Sequence, residues 1–172
     1  MLPALAERGR EYQIFYEVKA NLTRAQLRSL AAAGVTRLQP GLESLNSKVL
    51  SLMDKGVRAA QNVNLLRWAR YYGIAVGWNI LWGFPGETAE DYGAQAAVIP
   101  HLTHLQPPAA AGRVWLERFS PLFSRPARFP MRWRRPEAGY RHIYPSTVDI
   151  ERMAYFFDYE LEGALDPAAY TA

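Results

Sequence analysis

Glu17 and Lys19 stand two residues apart in the segment Gln13–Ala20 (QIFYEVKA). On an extended strand that spacing turns both side chains to one face. An anion and a cation side by side can hold a zwitterion such as an amino-acid moiety. They can equally form an ion pair that closes a strand end. A second group follows in Gln39, Glu43 and Ser44. Glu43 can accept hydrogen bonds from ribose hydroxyls, and Gln39 can donate or accept beside it. The same residues suit a helix start, with Ser44 as a cap and Glu43 near the positive end of the dipole. A third group is the turn Gly83-Phe-Pro-Gly86. Its glycines let a flat ligand approach the backbone, whose N–H and C=O groups can read the edge of an adenine. The sequence contains neither G-x-x-x-x-G-K-[ST] nor G-x-G-x-x-G, so this turn is not a phosphate-cradling loop.

Other chemistry-bearing residues read more plainly. Trp68, Trp78 and Trp82, with Tyr71 and Tyr72, concentrate aromatic surface and are expected in the core. His101 and His104 sit three apart at a helix end with no third ligand nearby, so no metal is assigned to them. The chain has no cysteine. That excludes disulfides, thiolate zinc sites, cysteine nucleophiles and a self-ligated iron–sulfur cluster.

These groups must be positioned by alternating strands and helices. Gln13–Ala20 reads as a strand, and Thr23 with Gln26 is a capping box opening a helix that stops at Gly34. Val35–Leu38 is a second strand running into Pro40-Gly41. A helical stretch follows from about Asn46 to Asp54, interrupted at Gly56. Ala59–Tyr72 is an amphipathic helix ended by Gly73. Ile74–Trp82 reads as one continuous apolar strand, and Thr88 with Asp91 caps the next helix up to Pro100. Val114–Phe119 reads as a fourth strand. Ser146 with Asp149 opens a last helix carrying Ile150, Met153, Ala154 and Phe157. This rhythm predicts an α/β fold around a parallel sheet, doubly wound or barrel-like. Both architectures gather ligands at the carboxyl ends of their strands, where the three groups above lie.

At 172 residues and 49% apolar content the chain can bury a substantial core. No run reaches the roughly 18 uncharged apolar residues of a membrane span. Glu7, Arg8, Arg10 and Glu11 exclude a secretory signal, so a cytoplasmic setting is expected. The charge is unevenly placed. Arg113, Arg118, Arg125, Arg128, Arg132, Arg134, Arg135 and Arg141 face only Glu117 and Glu137 in their segment, and an acidic stretch follows. Such a pair of segments can bind an acidic peptide or a nucleic acid, or can neutralise itself as a solvated surface.

Leu38-Gln-Pro-Gly-Leu-Glu-Ser44 and Asn79-Ile-Leu-Trp-Gly-Phe-Pro-Gly-Glu-Thr88 together resemble the C-terminal portion of radical S-adenosylmethionine (radical SAM) enzymes. Met53-Asp-Lys-Gly56, Gln61-Asn-Val-Asn-Leu-Leu-Arg-Trp-Ala-Arg70, His104-Leu-Gln-Pro-Pro108 and Glu117-Arg-Phe-Ser-Pro121 narrow it further. They resemble the cobalamin-dependent C-methyltransferases that mature ribosomally made peptides. The resemblance runs from about residue 13 to residue 160.

The resemblance implies a partial parallel TIM-type barrel with about four remaining strands over residues 1–121. A basic loop and C-terminal helical extension would follow over 122–172. It implies S-adenosylmethionine bound against a 4Fe–4S cluster, a 5′-deoxyadenosyl radical, and methyl transfer from cobalamin to a precursor peptide. By position, Glu17 and Lys19 would face the methionine end, and Gln39, Glu43 and Ser44 the ribose. Ile80 to Gly83 and Phe119 would flank the adenine. The family's cluster is ligated by a C-x-x-x-C-x-x-C loop, which this cysteine-free chain lacks, and the cobalamin-binding region is absent too. The reading is therefore a C-terminal fragment, with the missing N-terminal portion of the enzyme and the precursor peptide as partners. Neither nucleic acid nor membrane is expected as a partner. The alternative is a cluster-free module that recognises the precursor peptide through Arg113–Arg141.

Overall fold

A computed structural model describes Glu7 and residues 14–170. Gln13, where the sequence reading begins the first strand, lies outside the described residues. The chain divides into two units, Met1–Trp82 with Thr88–Gly112, and Gly83–Glu87 with Arg113–Ala172.

In the first unit, β1 (Ile14–Val18) leads to α1 (Arg24–Ala32). The expected capping box is formed: the Gln26 N–H donates to Thr23 Oγ1 at 3.3 Å, and the Thr23 N–H donates to Gln26 Oε1 at 2.8 Å. Gly34 ends the helix at φ 83°, a conformation that favours a residue without Cβ. Next come β2 (Val35–Pro40), α2 (Ser47–Leu52) and α3 (Ala59–Tyr71). The cap of α2 is Asn46, whose Oδ1 accepts the N–H groups of Lys48 and Val49. Ser44 takes the step before, accepting the Asn46 N–H at 3.0 Å.

The expected long strand Ile74–Trp82 is instead two short ones, β3 (Ala75–Val76) and β4 (Asn79–Trp82). Gly77 still donates its N–H to Leu38 O at 2.9 Å, but Trp78 then turns inward. Its indole N–H donates to Gln106 O at 3.0 Å, and the ring is buried. Sinking that ring takes the chain out of the first ladder. Then follow α4 (Ala89–Val98), capped by Thr88 and Asp91 as expected, a 3₁₀ turn at Ile99–Leu102, and β5 (Ala110–Arg113) beside β4.

β1, β2 and β3 form a parallel sheet in that order, as the alternation predicts. Leu27, Leu38, Leu42, Leu50 and Leu65 are essentially inaccessible between this sheet and its helices. Each such leucine is worth roughly 1.5–3 kcal/mol of burial. The aromatic expectation holds for Trp78, whereas Tyr71 is 68% exposed beside the half-buried Trp68.

The second unit departs from the reading. The expected fourth strand Val114–Phe119 is reduced to β6 (Leu116–Glu117). The expected basic loop contains α5 (Pro121–Ser124), β7 (Met131–Pro136) and α6 (Tyr140–Ile143). The expected C-terminal helix lasts four residues, α7 (Ile150–Met153), and gives way to β8 (Phe156–Leu161). β6, β8 and β7 form an antiparallel sheet with β8 central. Phe157, Tyr159 and Leu161 alternate inward, a period of two that outweighs the helical spacing of Ile150, Met153 and Phe157. The mixed sheets mark an α/β architecture without the anticipated helical extension.

Candidate functional site

Glu17 and Gln39 are register partners on β1 and β2, at the carboxyl ends of two parallel strands. There the chain turns, and the Gly41 N–H donates to Val18 O at 3.2 Å. With Glu43, Trp78 and Asn79 these residues line a cleft of about 230 Å³. That is smaller than the roughly 300–1,000 Å³ of whole small-molecule sites, so it suits one polar portion of a ligand.

Glu43 is shaped by its backbone as well as its charge. It holds φ 59°, a left-handed conformation that a residue with Cβ adopts at a cost. Its C=O accepts the Leu81 N–H at 2.9 Å, and it forms a parallel bridge with Ile80. Lys55 Nζ donates to Glu43 Oε1 at 2.8 Å. The chain delivers Lys55 through a tight turn after α2, with Asp54 at φ 61° and Gly56 at φ 66°. Gly41 leaves room for this pair, because a Cβ there would meet Glu43 Oε1 at 3.0 Å and Lys55 Nζ at 3.1 Å. One carboxylate oxygen of Glu43 is thus fixed by a cation while Oε2 can still accept a ligand hydroxyl.

Two buried amides brace this end of the unit. Asn62, fully buried on α3, donates its two Nδ2 hydrogens to Leu42 O and Ser44 O, each at 2.8 Å. Gln95 on α4 accepts the Ser44 O–H at 2.8 Å and the Leu45 N–H at 2.7 Å. The turn from Leu42 to Leu45 is therefore clamped from two helices. Ser44 serves that clamp and does not line the cleft, nor does the exposed Lys19. Asn62, Gln95 and Lys55 were not among the candidate residues. Lone amides and a lysine carry no local signal of this kind, although Asn62 and Lys55 fall within the stretches that carry the resemblance.

Beside the clamp, Asp91 accepts from Lys48 Nζ at 2.6 Å and from the Thr88 N–H at 2.9 Å. Burial pushes the Asp91 carboxyl upward, but the Lys48 and Thr88 hydrogen bonds outweigh it and hold the group below the ordinary aspartate value of 3.8.

Gly83 and Phe119 belong to the second unit. Gly83 is buried at φ 101°, and a Cβ there would meet Arg113 Cγ at 3.1 Å, so both conformation and space call for glycine. Its N–H donates to Oε2 of the buried Glu87 at 2.9 Å, and the Tyr170 O–H donates to the same oxygen at 2.7 Å. Burial, reinforced by Glu87, raises the Tyr170 hydroxyl above its usual range. Arg113 lies over the Tyr159 ring, 4.3 Å from its centroid. Burial pushes the Tyr159 hydroxyl up to about 12. Phe119 holds φ 73° and is 80% exposed.

The residues present do not fit an iron–sulfur cluster. The chain has no cysteine, and among the described residues no three His, Asp or Glu side chains gather to hold a metal. They do fit the polar part of a nucleoside-like ligand, through the carboxylates and amide of the cleft. Among the described residues no helix is long and apolar enough to cross a membrane.

No curated protein matches this sequence. Among solved structures, the chain is similar to the radical S-adenosylmethionine methyltransferase TsrM from Kitasatospora setae with cobalamin and a [4Fe-4S] cluster bound. The identity is 20% and the TM-score 0.56, over 73% of this chain and 25% of that one. It is also similar to the cobalamin-dependent radical enzyme OxsB, at 18% identity and TM-score 0.54, over 62% of this chain and 17% of that one. For HemN, the coproporphyrinogen III oxidase of Escherichia coli, the values are 22% and 0.52, over 71% and 28%. At these identities the likeness establishes a shared fold. The chain spans about a quarter of the length of TsrM. The family model of the Radical SAM superfamily matches residues 2–94, more than half of the chain. Parallel strands with a polar cleft at their carboxyl ends, and a family match across that region, place this chain in the radical SAM superfamily.

Proposed function

We propose that this chain is the C-terminal part of a cobalamin-dependent radical SAM methyltransferase acting on a ribosomally made peptide, and that its first unit holds the polar part of S-adenosylmethionine. The observation that carries the reading is the cleft formed by Glu17, Gln39 and Glu43 at the carboxyl ends of the parallel strands. That is where parallel α/β sheets bind their ligands. The parallel bridge between Glu43 and Ile80 continues the β1–β2–β3 arrangement and supports a partial barrel.

In this reading Glu43 Oε2 accepts from ribose hydroxyls while Lys55, bonded to Oε1, orients the carboxylate. Glu17 attracts the ammonium of the methionyl group, and Gln39 bridges the two ends. Bound S-adenosylmethionine supplies the sulfonium whose cleavage starts radical chemistry in this family. The chain's own residues only hold and orient it, and the cluster and cobalamin belong to the enzyme's missing N-terminal portion. TsrM and OxsB, both cobalamin-dependent radical enzymes by description or bound cofactor, support the cobalamin assignment.

Calorimetric titration of the full chain with S-adenosylmethionine tests this. Glu43→Ala is expected to weaken binding about ten- to a hundredfold, the scale of a lost charged hydrogen bond. Glu90→Ala, in the exposed first turn of α4, leaves affinity unchanged. Absence of binding by the unmodified chain, or equal affinities for the two variants, overturns the reading.

A further inference from the structure

In the second unit β7 is an outer strand, bordered by β8 on one side and by no strand among the described residues on the other. Its residues Arg132, Trp133, Arg134 and Arg135 are all exposed. The Glu137 N–H donates to Phe156 O at 3.2 Å, which sets the phase of the ladder. In an antiparallel pair every second residue bonds its partner and the ones between face away. Arg134 and Pro136 therefore present their backbone to the free edge, Arg134 with N–H and C=O and Pro136 with C=O alone. A register shift between Met131 and Trp133 adds Arg132 as an extra residue on this strand.

The charge on this edge is selective. Arg132 pairs with Glu160 at 2.8 Å and Arg135 with Asp158 at 3.4 Å, both from the central strand β8. Each of those contacts engages one nitrogen of its guanidinium, whose remaining N–H groups can donate to a second acceptor. Arg134 lies 4.3 Å over the Phe123 ring, and among the described residues no carboxylate pairs with it. A second copy of β7 would bring three arginines against three arginines, which is repulsive cross-strand pairing. An acidic strand would meet the opposite charge at each position.

We infer that the free edge of β7 docks an extended acidic segment of the peptide substrate as an added strand, centred on Arg134. Backbone bonds to Arg134 supply the register and the arginines select carboxylates. The inference rests on the peptide-substrate reading above, but the docking needs neither S-adenosylmethionine nor a cluster.

The test is fluorescence anisotropy of the full chain with a labelled peptide of alternating glutamate and valine. Arg134→Glu is expected to weaken binding at least tenfold, and Arg132→Glu serves as a second variant should the first misfold. Arg134→Lys keeps most of the affinity, and Arg28→Glu, on the exposed side of α1 in the first unit, leaves it unchanged. The same peptide with N-methylated backbone binds at least tenfold more weakly if a strand is added. Equal binding of the N-methylated peptide, no effect of Arg134→Glu, or tighter binding of a thymidine oligonucleotide of equal charge overturns the inference. S-adenosylmethionine titration of the same samples separates this from the enzymatic reading. Peptide binding without S-adenosylmethionine binding refutes the latter alone.

Discussion

Lys55 Nζ lies 2.8 Å from Glu43 Oε1, and Glu43 presents that carboxylate from a left-handed backbone at φ 59°. Both side chains are partly sheltered, 30% and 19% exposed, so the pair is firmer than a fully solvated one. The strain and the ion pair point the same carboxylate into the cleft that Glu17 and Gln39 share.

Strain at Glu43 separates stability from binding. Glu43→Ala keeps a Cβ at positive φ and loses the ion pair, whereas Glu43→Gly loses the ion pair but relaxes the backbone. Glu43→Gly is expected to be more stable than Glu43→Ala by about 1 kcal/mol, with the same loss of S-adenosylmethionine affinity. Urea unfolding of the two variants measures this, and equal midpoints would show that the left-handed conformation carries no cost.

Asn62 has no access to solvent and holds two backbone carbonyls of the clamped turn. Asn62→Ala strands Leu42 O and Ser44 O and should destabilise the first unit by roughly 2–4 kcal/mol. Chemical denaturation followed by tryptophan fluorescence reads the change. A loss below about 1 kcal/mol would mean that water replaces the amide without penalty.

Asp91 gives the first unit an acid limb. Its folded-state value lies below the ordinary one, so its contribution is present above about pH 4 and is lost as pH falls through the folded value. Asp91→Asn should flatten the fall in thermal midpoint between about pH 5 and pH 2. An unchanged slope would assign acid sensitivity to other carboxylates.

Gly83 at φ 101° faces Arg113 Cγ, and Gly83→Ala should destabilise the second unit by about 1–3 kcal/mol. Hydrogen exchange localises the effect. Protection lost in β8 but retained in β2 is the expected pattern, and uniform loss would contradict it.

Anaerobic incubation with iron and sulfide should leave the isolated chain without cluster absorbance and without formation of 5′-deoxyadenosine, because it has no cysteine. Stoichiometric iron with product would require ligands of another kind.

Much of the first unit was legible along the chain because its signals are local. The capping boxes at Thr23 and Thr88 and the stop at Gly34 involve groups within a few residues of each other. The resemblance carried by Leu38–Ser44 and Asn79–Thr88 led to the superfamily, and the strand ends at Glu17 and Gln39 followed from alternation alone. What only tertiary structure decided depends on partners far off in sequence. Ile74–Trp82 is apolar but for Asn79, and it breaks because Trp78 is drawn to Gln106. Phe156–Leu161 follows a helix start and becomes a strand because β7 and β6 flank it on both sides. Glu43 meets Lys55 across twelve residues, and Ser44 meets Gln95 across fifty-one. A side chain's type shows which bonds it can make, but burial and the geometry of distant elements decide which bond it does make.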